Sequence, residues 1–175
     1  MEYATVVWSP YRKKDIFILE NTQRRATKLV NNIKHLPYEQ RLLHLGLPTL
    51  QYRRKRADLI QVYKIMNGID KLDKNKLFNE CTNTNTRGNS KKLSKGHVRL
   101  NLRANAFTQR VVNDWNRLPS ACTDNKTING FKSSLNSHWK HHPDKFHSHC
   151  DCGLTDETCN EGPQHSTGIP TAWRR

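Results

Sequence analysis

A chain of 175 residues and 20.4 kDa has room for one domain, or one modest domain plus a tail, and not for two large cores. Apolar residues make up 34% and mean hydropathy is −0.89, so the core is thin and part of the chain is expected not to pack. A formal charge of +15 calls for a polyanionic partner, and no stretch approaches the ~20 apolar residues of a membrane span.

The opening MEYATVVWSP lacks the charged start and the length of a signal peptide, so an intracellular protein of nucleus or cytoplasm is expected, not a secreted one. Five cysteines, an odd number, argue for reduced thiols. The charge is uneven. Beyond His142 the acids Asp144, Asp151, Asp156, Glu157 and Glu161 outnumber the bases Lys145, Arg174 and Arg175 by two, so residues 1–142 carry +17.

In chain order, Ser9-Pro10 starts a helix running to about Val30. Ile16, Leu19, Gln23, Ala26 and Val30 share one face of it, opposite Lys13, Lys14, Arg24, Arg25 and Lys28. Pro37 opens a short second helix, closed by Gly46, with Leu42, Leu43 and Leu45 apolar. Pro48 opens a third that stops near Gly68, packing through Tyr52, Leu59, Val62, Tyr63 and Met66 and turning Arg53, Arg54 and Lys64 away. The stretch from Asn67 to about His97 is poor in apolar residues and its CTNTNTRGNSKKLSKG part reads as loop, and the alternation Val98, Leu100, Leu102 suits a short strand pairing near Leu93. Helical spacing returns through Phe107, Val111 and Trp115. Thr127 then caps a last helix carrying Ile128, Phe131, Leu135 and Trp139. The expected fold is mainly α: a bundle of about five helices over 1–142 with a short β-hairpin, then a disordered tail over 143–175.

Six ordered blocks, MEYATVVWSPYRKKDI, LENTQRRATKLV, YEQRLLHLGLPTLQYRRKRADLIQVYKIMNG, the TRGNS-KKL loop, FTQRVVNDWNRLP and FKSSLNSHWK, resemble the C-terminal end of reverse transcriptases of non-LTR retrotransposons, nearest the chicken-repeat and jockey-like groups. The resemblance covers roughly residues 2–142. It implies the thumb and the segment after it, which hold RNA template and growing DNA beside the palm. Such polymerases need an aromatic-x-Asp-Asp pair and a third carboxylate for two metal ions. Here Asp15, Asp58, Asp70, Asp73, Asp114, Asp124, Asp144, Asp151 and Asp156 are scattered with no two adjacent, so no catalytic residue and no cofactor are expected. Met1 stands where an ordinary apolar residue is expected, so the reading frame is expected to start inside a longer element.

The binding candidates are the basic faces: Lys13, Lys14, Arg24, Arg25, Lys28, Arg53, Arg54 and Lys64, with Arg103, Arg110 and Arg117 at seven-residue spacing. Contacts from such faces go to phosphates and carry no sequence preference, so RNA, DNA or an RNA/DNA hybrid is the expected partner, with the palm of a reverse transcriptase beside it. Trp8, Tyr63, Trp115 and Trp139 have the types to stack on bases. Their spacing with Leu, Ile and Val favours core packing, and Phe17 alone falls on the basic side. Cys150, Cys152, Cys159 and His165 form C-x-C-x6-C-x5-H, but a single residue between the first two ligands is a poor start for tetrahedral zinc, so no metal is expected. Two alternatives stay open: a truncated relic without function, and a general nucleic-acid-binding protein with a zinc-binding tail.

Overall fold

The computed structural model describes residues 4–81, 89 and 91–147. Most of the expected tail, including Cys150, Cys152, Cys159 and His165, lies outside the described residues. The chain is mainly helical. In order come α1 (Lys13–Lys28), a 3-10 turn (Asn31–Ile33), α2 (Tyr38–Leu45), α3 (Leu50–Met66), the single turn α4 (Lys74–Leu77) and β1 (Asn79–Glu80). β2 (Leu93–Ser94), the single turn α5 (Asn101–Ala104), α6 (Phe107–Asn116), α7 (Ser120–Thr123), α8 (Ile128–His138) and a 3-10 turn (Pro143–Lys145) follow.

Local chemistry explains most of these boundaries. Gly46 ends α2 with φ of +61°, a left-handed conformation open to glycine, and its N–H caps α2 carbonyls. The Thr49 hydroxyl accepts the Tyr52 N–H at 3.2 Å and starts α3, and Gly68, φ +67°, follows its end. Thr127 caps α8 through the Gly130 N–H at 3.1 Å.

α3 lies at the centre. Its Tyr52, Leu59, Val62, Tyr63 and Ile65 are buried with Val111, Val112 and Trp115 of α6, Phe131 and Leu135 of α8, Trp139, Phe78 and Leu93. Tyr63 stacks on Phe131 at 4.4 Å between ring centres while Tyr52 meets Trp139 at 5.5 Å, so α8 runs antiparallel to α3. Of the four aromatics expected in the core, Tyr63, Trp115 and Trp139 are buried there, whereas Trp8 is 41% exposed because it lies on the segment before α1, over the Arg54 guanidinium.

Four other expectations change. The first helix begins at Lys13, because the extended chain through Ser9-Pro10 is held across the bundle: the Arg110 guanidinium donates to the Thr5 and Val6 carbonyls, each at 3.1 Å. α1 is also rotated from the expected packing face. Gln23 of that face is buried, but with Glu20 and Thr27 beside it, whereas Ala26 and Val30 are exposed and Ile16 and Leu19 only half-buried, because α2 and α3 offer hydrogen-bond partners to the polar residues. β2 pairs with Asn79–Glu80, and Leu100 and Leu102 are 71% and 75% exposed. With the edge beside Leu93 taken by β1, residues 101–104 close a helical turn instead. Finally, the packed body passes the boundary expected at 142. The Lys145 carbonyl accepts the Thr49 N–H at 2.9 Å, and the Asp144 carbonyl accepts the Thr49 hydroxyl at 2.7 Å.

Candidate nucleic-acid interface

A buried polar seam fixes α1 against α2 and α3. The Tyr38 hydroxyl donates to Glu20 Oε1 at 2.5 Å and the Leu50 N–H to Glu20 Oε2 at 3.1 Å. Gln23 Nε2 donates to the Pro48 carbonyl and the Tyr38 hydroxyl at 3.2 Å each, and its Oε1 accepts from Arg53 Nη2. Further along, Arg41 Nε donates to Thr27 Oγ1 at 3.2 Å. Burial pushes the Glu20 carboxyl above its ordinary value, opposed by the Tyr38 and Leu50 bonds and by Arg24 and Arg53.

This seam and the core divide the sequence candidates. Lys13, Lys14, Arg25, Arg103 and Arg117 are exposed, Arg117 lying 3.6 Å from Asp114. Lys28, Arg53 and Lys64 are half-exposed. Three others work inside the body. Arg24 is stacked 4.8 Å over the Tyr38 ring and 5.8 Å from Phe17, and the buried Arg54 lies 4.9 Å from the Trp8 ring. Arg110 grips Asp58 with two bonds of 2.8 and 2.9 Å, a charge-assisted fork that anchors α6 to α3. Burial raises the Asp58 carboxyl, opposed by Arg110. Periodicity alone does not distinguish these arginines from exposed ones, since their partners are remote in sequence.

The structure brings together cations that the sequence keeps apart. Arg53, Arg56, Ile60 and Lys64 fall at i, i+3, i+7 and i+11 and share one half-exposed side of α3, over about 16 Å of helix. Arg56 Nε donates to Asn136 Oδ1 at 2.9 Å, which places beside this row the α8 edge at i, i+4 and i+8: Lys132, Asn136 and the exposed Lys140 just past the helix end. The two antiparallel rows form a ribbon carrying Arg53, Arg56, Lys64, Lys132 and Lys140. α8 contains no carboxylate, and the sole one of α3, Asp58, is buried toward Arg110 on the far side. Arg56, Lys132 and Lys140 were not among the sequence candidates. The run Arg53–Arg56 signalled the first, and only the α3–α8 pairing reveals the others.

No family model, curated protein or solved structure matches this chain. The ribbon's geometry suits charge-assisted contacts to a row of phosphates. Among the described residues no group of His, Cys, Asp and Glu side chains is placed to hold a metal ion, and no helix is long and apolar enough to cross a membrane.

Beyond α8, His142 sits between the Trp139 and Tyr52 rings, 4.7 and 5.7 Å away, and its Nδ1 accepts the Asp144 N–H at 3.2 Å. Burial holds its imidazole below the ordinary value, so the folded state binds the proton less readily than the unfolded chain does. The stability His142 contributes is complete above pH ~6.5 and is lost as pH falls through the lower folded value. His142→Asn keeps an acceptor where Nδ1 stands and removes the titration. The thermal-midpoint advantage of the wild type over this variant is expected to narrow as pH is lowered from 7 to 5, and a constant difference would contradict it.

Proposed function

We propose that this chain is a non-catalytic module that holds RNA, DNA or an RNA/DNA hybrid by its backbone, without sequence preference. The observation that carries this reading is the α3–α8 ribbon, with five cations in two adjoining rows and no carboxylate among them. On the resemblance of its six blocks to reverse transcriptases of non-LTR retrotransposons, we further propose that it is the thumb and post-thumb part of such an enzyme. There it would clamp primer and template beside the palm. Polymerisation would belong to the carboxylates of the palm, so the chain is not an enzyme on its own.

Filter binding to a DNA duplex across a salt series tests the binding. With about five phosphates neutralised, log K should fall by about 4.5 for each tenfold rise in salt, and the affinity should be the same for unrelated sequences. A flat salt response, or strong discrimination between sequences at constant salt, would contradict the proposal.

A further inference from the structure

A basic surface and an acidic stretch of sequence meet at one end of the α3–α8 ribbon. α8 runs antiparallel to α3, so Lys140 lies beside the first turn of α3, where Tyr52 meets Trp139 at 5.5 Å. The chain then folds over that same end. The Lys145 carbonyl accepts the Thr49 N–H at 2.9 Å, Asp144 Oδ2 lies 2.5 Å from Lys55 Nζ, and His147 Nδ1 lies 3.0 Å from Glu39 Oε2. Residues 148–161, SHCDCGLTDETCNE, continue from this point and lie outside the described residues. They carry Asp151, Asp156, Glu157 and Glu161 and no lysine or arginine. Among the described residues no carboxylate pairs with Arg56, Lys64, Lys132 or Lys140. By contrast, the outer surface of α1 and α2 includes the carboxylates Asp15 and Glu39.

The reach is sufficient. An extended chain advances ~3.3 Å per residue, so Asp151, four residues past His147, can stand about 13 Å from the exit, and Glu161, fourteen past it, about 46 Å. The ribbon is only about 16 Å long. A segment tethered this closely acts at an effective concentration of roughly millimolar, so weak charge contacts suffice to hold it. We infer, on the reading of the ribbon as the nucleic-acid interface, that residues 148–161 lie along the ribbon when nucleic acid is absent and that nucleic acid must displace them to bind. Their carboxylates stand in for phosphates, accepting the same charge-assisted bonds from arginine and lysine. Short oligonucleotides lose this competition. A long polyanion wins it, because it releases condensed counterions that a peptide does not hold.

Carbodiimide coupling joins a lysine amine to a carboxylate in contact with it, and tests the contact in the 175-residue chain without nucleic acid. Lys74 and Glu80, 2.7 Å apart, serve as the internal standard. Peptide mapping is expected to find carboxylates of 148–161 joined to Lys64, Lys132 or Lys140. The yield should not depend on protein concentration, and it should fall as salt rises from about 0.05 to about 0.5 M. Filter binding tests the competition. Asp151→Asn, Asp156→Asn, Glu157→Gln and Glu161→Gln together should tighten binding to a DNA duplex about tenfold near 0.1 M salt, as follows if the wild-type ribbon is open about a tenth of the time. The matched change Asp15→Asn, Asp73→Asn, Glu80→Gln and Asp124→Asn adds the same net charge at exposed positions and should tighten it by no more than about threefold. Coupling confined to lysines off the ribbon, such as Lys13 and Lys28, or a matched change as effective as the first, would overturn the inference. Loss of the ribbon coupling with salt-dependent binding intact would remove the contact and leave the ribbon as the interface. Ribbon coupling without any gain of affinity would place nucleic acid elsewhere and overturn the competition.

Discussion

Reversing Arg56, Lys132 and Lys140 together to glutamate is expected to weaken binding to a DNA duplex by about 100-fold or more near 0.1 M salt, and to reduce the salt slope by about 2.7. Each lost phosphate contact removes about 0.9 from that slope, and its contribution near 0.1 M is a similar number of tenfold steps. Fold should survive, because Lys140 is exposed, Lys132 is half-exposed, and the Arg56 bond to Asn136 is at the surface. The informative comparison is a second triple reversal at Lys13, Lys14 and Arg103, exposed cations of α1 and α5 away from the ribbon. That variant should lose only the long-range attraction. If it loses more affinity than the ribbon variant, the interface lies on the α1 side.

Trp115→Ala should be the most damaging single change to the fold, costing about 3–5 kcal/mol of the ~5–15 kcal/mol that keeps a domain folded. The indole is fully buried, 6.1 Å from the Phe131 ring, and its N–H donates to the Lys91 carbonyl at 2.8 Å. Truncation therefore opens a cavity where α3, α6 and α8 meet and releases the strand side at once. Trp115→Phe separates these effects. It fills most of the space but leaves the Lys91 carbonyl without its donor, a loss of about 1–3 kcal/mol. Urea unfolding monitored by circular dichroism measures both. A loss under about 1 kcal/mol for the alanine variant would mean that this cluster is not the core.

The parts of this fold that the sequence makes legible are those whose signals are local. α2, α3, α6 and α8 follow from Gly46, Pro48, Thr127 and an apolar period of three and four, since helix-start signals, caps and periodicity act within a few residues. α1 misleads for the opposite reason. Its Glu20 looks like a solvent residue until Tyr38 and Leu50, 18 and 30 residues on, supply its partners. Val98, Leu100 and Leu102 alternate as a strand does, but the ladder position beside Leu93 belongs to Glu80. The interface is divided in the same way. Net charge announces a basic surface, whereas the withdrawal of Arg54 and Arg110 from it, and the arrival of Lys132 and Lys140 beside Arg56, depend on packing between segments remote in the chain.

The bond from the Thr49 hydroxyl to the Asp144 carbonyl spans 95 residues, and Lys55 Nζ reinforces it at 2.5 Å from Asp144 Oδ2. The amino end of the central helix is thus completed by nearly the last residues of the packed body. During synthesis α1 to α3 and the seam between them emerge long before that closure exists, so the start of α3 gains its partner last. A contact between such distant segments carries a large loop-closure cost, to be met before the core repays it. A ribosome stalled between His138 and Asp144 would have made every long helix and left the central one still open at its start.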